Sequence, residues 1–108
     1  MKETYAKNAM VFKAFCDERR LRILDLLRGG EKCTCVLIEE MGMPQSSLSY
    51  HMKILCEAGI VEGRQEGKWT HYSISEKGSL EAVELLKELT VSEPTAKRVA
   101  CCASNSPQ

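Results

Sequence analysis

Residues 42–59 read GMPQSSLSYHMKILCEAG, and the fold follows from how this stretch is read. Pro44 suits a first helical turn, where its missing N–H costs nothing. Gly59 suits a left-handed C-terminal cap. At about 100° per residue, Leu48, Met52 and Leu55 share one side of the helix so bounded. Ser46, Ser49, Tyr50 and Lys53 share the opposite side, with Gln45, Ser47 and His51 on the flanks. The outer face therefore holds hydrogen-bonding groups of mixed type and little charge. That chemistry suits base edges in a DNA major groove, which admits one α-helix. An ordinary solvated face explains this helix alone equally well, and the flanking sequence has to separate the two.

On the N-terminal side, a short helix runs from about Cys33 or Cys35 to Met41 and is closed by Gly42. A short helix, a turn holding Gly42 and Pro44, and a longer polar-faced helix make a helix-turn-helix. Further upstream, Asp17 is an N-cap for a helix over 18–28, with Leu21, Ile23, Leu24 and Leu27 inward and Gly29-Gly30 at its end. A first helix covers 5–15, with Ala6, Ala9, Met10, Phe12 and Phe15 as a wide apolar face.

On the C-terminal side the period changes. Residues 60–65 and 69–74 read as strands, with Glu66-Gly67-Lys68 at the turn. This hairpin holds Arg64, Lys68 and His71. Beside a helix-turn-helix it would be a wing, with phosphate contacts setting register and the helix setting sequence; the alternative is a hairpin that only caps the core. Lys77-Gly78 opens a last helix over 79–91. Its apolar set, Ala82, Val83, Leu85, Leu86 and Leu89, spans an arc of about 160° at 100° per residue. Both terminal helices are more apolar than one small domain requires, and a twofold subunit interface is the simplest use of the excess. The fold class is thus mainly α with a small β-hairpin: a homodimeric winged helix-turn-helix over 1–91, followed by a flexible cysteine-containing tail over 92–108.

At 108 residues the chain makes one domain. Fifteen basic and fifteen acidic residues give zero formal net charge, so any DNA contact rests on a local patch. No apolar run approaches the roughly 20 residues that span a bilayer, and the N-terminus lacks a signal-type apolar core. The expected location is the cytoplasm, with no membrane partner. Six cysteines, Cys16, Cys33, Cys35, Cys56, Cys101 and Cys102, would stay reduced there, so metal, metalloid or redox chemistry is the default for them.

Three collinear motifs, covering about residues 9–90, resemble the ArsR/SmtB family of winged-helix repressors. FKAFCDERRLRILDLL resembles the family's second-helix signature, MPQSSLSYHMKILCEAGIV its recognition helix and exit, and EGKWTHYSI its wing. The resemblance implies a dimer that binds operator DNA without a cofactor and is released by an inducer. EKCTCVL resembles the ELCVCDL of the arsenic-responsive branch, so Cys33 and Cys35 are implied as ligands of trivalent arsenic or antimony. Ile38 stands where some members place a third cysteine, and no histidine follows His71 to build the last-helix ion site of other members. The expected DNA-binding set is Gln45, Ser46, Ser47, Ser49, Tyr50, His51, Lys53, Arg64 and Lys68.

Trivalent arsenic is soft and takes three sulfurs in a pyramid. Cys33 and Cys35 lie near a helix N-terminus and beside Lys32, which should lower their pKa. A continuous helix would aim them about 200° apart, so arsenic binding is expected to distort that helix's first turn. Cys101 and Cys102 are the leading source of the third sulfur, since the chain from Thr90 reaches roughly 40 Å at about 3.3 Å per residue. Cys16 and Cys56 read as small buried residues. Closing the thiolate cage would move the two recognition helices away from the roughly 34 Å spacing of successive major grooves. Alternatives on the same scaffold are methylated trivalent arsenic, which needs two sulfurs, Cd or Pb, and a thiol redox switch. An enzyme alternative rests on the C-x5-R of CDERRLR, but that stretch lacks the Gly, Asn or Ser of an oxyanion loop; no enzymatic activity is expected.

Overall fold

The computed structural model describes residues 2–95 and 98. The elements run α1 (Lys2–Lys13), α2 (Glu18–Leu27), β1 (Lys32–Cys33), α3 (Thr34–Met41), α4 (Gln45–Glu57), β2 (Val61–Glu66), β3 (Trp69–Ile74) and α5 (Glu76–Thr90). This is a winged helix-turn-helix: α3 and α4 form the helical pair, and β2 and β3 the wing. Among the described residues no helix is long and apolar enough to cross a membrane.

Local chemistry sets most boundaries. The Asp17 side chain accepts from the Arg19 N–H at 2.7 Å and starts α2. Gly42, at φ 64° and ψ 36°, ends α3 in the left-handed conformation that glycine adopts without penalty. Pro44 is the N-cap of α4, one residue ahead of the expected first turn. Gly67 takes φ 64° at the start of a two-residue turn, which the Glu66–Trp69 pairing frames.

Leu48, Met52 and Leu55 of α4 are buried, as their spacing predicts, and meet Ile23 and Leu27 of α2 and Leu37 and Met41 of α3. Several expectations need correction. In α2, Leu21 faces solvent and Arg20 is buried instead, because Arg20 finds polar partners inside. The last helix starts at Glu76, where the Ser75 side chain accepts from the Gly78 N–H at 3.0 Å. Gly78 is therefore inside the first turn, and a Cβ there would collide with the Gly59 carbonyl. The sheet has three strands in the order β1-β3-β2, since Lys32 and Cys33 pair with Tyr72 and His71. That third strand is absent from the sequence reading, which placed Cys33 in or next to a helix.

Candidate DNA-binding face and thiol pair

The exposed side of α4 presents Gln45, Ser46, Ser47, Ser49, Tyr50 and Lys53, all solvent-facing. These six stand where the helical period put them. His51 does not: it is buried, with 4% of its surface accessible. Its Nδ1 lies 3.0 Å from an Arg20 guanidinium nitrogen. Arginine can only donate, so Nδ1 accepts and the neutral ring carries its proton on Nε2. Burial holds the His51 pKa below its ordinary value, with Arg20 and Arg19 adding to the effect and Asp17 opposing it. A second Arg20 nitrogen donates to the Lys13 carbonyl at 3.0 Å. Arg20 thus ties the end of α1 to the middle of α4, and His51 is removed from the base-reading set. An arginine inside an apolar signature is the only sequence signal for this pair.

In the wing, Lys68 projects freely from the turn, with no ion-pair partner among the described residues. Arg64 is committed: its Nε and one terminal nitrogen donate to the two Glu31 carboxylate oxygens at 3.1 and 2.7 Å. Its other terminal nitrogen meets Glu66 at 3.2 Å. The Arg64 guanidinium holds the Glu31 carboxyl below the usual range. Glu31 lies two residues before Cys33, so this fork joins the wing to the segment holding the thiols.

The Cys33 and Cys35 sulfurs are 3.2 Å apart. Cys33 is the N-cap of α3 in extended conformation, φ −74° and ψ 149°. Only Cys35 is helical, so the angular divergence expected of two helical cysteines does not arise. The thiols meet without distorting the first turn, which corrects that expectation. The pKa expectation is also reversed for Cys35: its hydrogen bond to Cys33, ahead of burial, raises its pKa. A thiol that donates to a neighbour loses that bond on ionising. Cys35 is exposed and Cys33 half-buried, so the pair is open to solvent.

Thr34, between the cysteines, is buried and donates to the Thr70 carbonyl of β3 at 2.8 Å. Cys33 pairs with His71, and His71 pairs with Arg64 on the other side of β3. Directly opposed residues share a sheet face, which puts Cys33, His71 and Arg64 in one row. Cys16 is exposed rather than buried, while Cys56 is half-buried against the core as expected. Cys101 and Cys102 lie outside the described residues. Among the described residues, no group of three His, Cys, Asp or Glu side chains is arranged to hold a metal ion.

The terminal helices expose their apolar excess. Tyr5 and Met10 of α1 and Leu80, Val83, Leu86 and Leu89 of α5 face solvent. Between them an apolar cleft of about 660 Å³ is lined by Phe12, Phe15, Leu24, Ile74, Val83 and Leu86, among others.

Comparison with known proteins gives this arrangement its context. Residues 17–63 match the family described as "Bacterial regulatory protein, arsR family". An HTH-type transcriptional regulator of Methanocaldococcus jannaschii is 46% identical over 88 residues, 81% of this chain and 99% of that protein. The arsenical resistance operon repressor of Bacillus subtilis is 37% identical over 76 residues, 69% of this chain and 72% of that repressor. The solution structure of a homodimeric winged helix-turn-helix domain from Mycobacterium bovis, a possible ArsR-family regulator, superposes with a TM-score of 0.64. It is 31% identical, covering 82% of this chain and 86% of its own.

Proposed function

The chain belongs to the ArsR family of DNA-binding transcriptional regulators, and on that premise we propose that it is an arsenite-responsive repressor, acting as a homodimer over residues 1–91. It binds the operator of an arsenic-resistance operon through Gln45, Ser46, Ser47, Ser49, Tyr50 and Lys53 of α4, with Lys68 and Arg64 from the wing. The single observation that supports the inducer is the 3.2 Å approach of the Cys33 and Cys35 sulfurs at the solvent-open start of α3. Arsenite, As(OH)3, condenses with thiols: each sulfur takes the place of one hydroxyl on arsenic and one water leaves. Two condensations occupy Cys33 and Cys35, and a third, with Cys101 or Cys102, completes the pyramid. Antimonite follows the same chemistry. The dimer would form through α1 and α5, whose uncovered apolar faces flank the cleft.

The geometry supports a route from thiols to DNA. Cys33, Thr34 and Glu31 each reach the wing: by strand pairing with His71, by the hydroxyl bond to Thr70 and by the fork on Arg64. On the other side, Leu37 and Met41 of α3 join Leu48 and Met52 of α4 in the core. Because the two sulfurs already stand 3.2 Å apart, it is recruitment of the third sulfur, from Cys101 or Cys102, that pulls on the α3 start that both routes share. A coupling of about 1–3 kcal/mol is typical of such effector responses and corresponds to a several-fold to hundredfold loss of operator affinity.

The test is titration of arsenite into a labelled operator complex. Release from wild type and retention by a Cys33→Ser, Cys35→Ser variant is expected; equal release by both refutes the thiol assignment. Arsenic X-ray absorption on wild type and on Cys101→Ser, Cys102→Ser counts the sulfurs. The same close approach of two thiols also suits a disulfide switch, which would show as operator release by peroxide without arsenite.

A further inference from the structure

A second cleft, of about 660 Å³, lies between the start of α2 and the start of α4. Arg19 and Arg22 stand on one wall, and Ser46, Ser47 and Tyr50 on the other, with His51 behind them. The apolar pattern that reads α2 from sequence passes over both arginines. Arg19 has no ion-pair partner among the described residues, and Arg22 donates only to the uncharged Glu40 carbonyl at 3.1 Å. The cleft's one acid, Asp17, is already engaged as the cap of α2. Two guanidinium charges are therefore left without a counterion.

His51 supplies the independent observation. It is more than nine-tenths buried and borders this cleft. Arg20 occupies Nδ1 as an acceptor, so Nε2 is an N–H donor, and it has no hydrogen-bond partner among the described residues. The ring is buried but its Nε2 is still reached from the cleft, and such a donor backing two unpaired cations at the mouth is complementary to an oxyanion. Ser46, Ser47 and Tyr50 belong both to this wall and to the exposed face of α4, so the occupant must border whatever that face touches.

We propose that this cleft seats a backbone phosphate of the bound duplex, gripped by Arg19 and Arg22 with the His51 N–H behind it. This rests on the reading that α4 enters the groove. In that pose the adjacent strand passes the start of α2, and the contact fixes the register of α4 without reading a base. Arg19 and Arg22 are positioning residues for recognition.

The experiment measures binding by fluorescence anisotropy over a salt series. The probes are a duplex selected by the protein from a random-sequence pool and a scrambled duplex. For Arg19→Gln, Arg22→Gln, affinity should fall by a similar factor on both duplexes. The slope of log affinity against log salt should flatten by about 0.9 for each phosphate that the variant no longer neutralises. An unchanged slope, or a weakening confined to the selected duplex, overturns the proposal. If wild type binds neither duplex, the reading of α4 fails first and takes the proposal with it. Replacing single phosphates by neutral methylphosphonates gives a readout on wild type alone, independent of how the variant folds. At least one substituted linkage should weaken wild type and leave the double variant unaffected. Equal effects on both proteins at every linkage would also overturn it.

Discussion

Replacing His51 by Leu isolates the buried contact that clamps α4 to α1 and α2. In wild type the Arg20 guanidinium, 5% exposed, donates to His51 Nδ1 and to the Lys13 carbonyl, both at 3.0 Å, while its Nε has no partner among the described residues. His51→Leu leaves a second buried nitrogen of a charged group unsatisfied. Hydrogen bonds to charged groups contribute about 1.5–3 kcal/mol, and about 4–8 °C of Tm accompanies each kcal/mol in a domain near this size. The expected drop is therefore on the order of 10 °C, measured by circular dichroism at fixed protein concentration. The double variant Arg20→Met, His51→Leu removes charge and acceptor together and should recover much of that drop, because apolar replacement of a buried charged pair is often neutral or better. A His51→Leu protein as stable as wild type, or a double variant worse than both singles combined, refutes the clamp. The pair also has a pH signature. Burial keeps His51 from protonating in the folded chain, while in the unfolded chain it takes a proton near its ordinary value of 6.5. Below that value the unfolded state binds more protons, so stability falls with falling pH until the folded ring itself titrates. His51→Leu should lack this component of the acid slope.

Other outcomes can be checked separately. Gly78→Ala drives a methyl group into the Gly59 carbonyl and should cost about 1–3 kcal/mol by overpacking, read from urea unfolding. Because donation to Cys33 raises the Cys35 pKa, iodoacetamide alkylation of Cys35 should be slow at neutral pH and still be rising above the ordinary thiol value; Cys33→Ser tests the cause. Glu31→Gln should remove the carboxylate that competes most closely with phosphate for Arg64, so that DNA binding becomes tighter and steeper in salt while arsenite releases it less completely. Leu86→Glu, on the exposed face of α5, should shift the sedimentation coefficient from dimer to monomer and reduce operator affinity.

What could be read from the chain was what is decided within a few residues. Gly42, Pro44 and Gly59 mark turns by backbone preference, and Leu48, Met52 and Leu55 mark the inner face of α4 by spacing. The hairpin follows from alternation about Gly67. Several of the errors share one cause, which is dependence on a partner far along the chain. β1 has only two residues, and nothing local marks it; it exists because Lys32 and Cys33 meet Tyr72 and His71. Arg20 and Leu21 exchange their expected places because Arg20 bonds to a residue 31 positions away. The strand at Cys33 in turn alters the thiol geometry, bringing the sulfurs together where a helical reading held them apart. Arg64, which its place in the hairpin assigns to DNA, is held by Glu31 from 33 residues upstream.

α5 is fifteen residues long, yet none of them is buried within the chain. In the proposed dimer, a helix so weakly held by its own subunit would owe its order to mass action. Dilution should fray it before the winged core loosens, and the melting midpoint should climb with protein concentration. Copy number would then set how much intact repressor the cell holds as well as how much protein it has made.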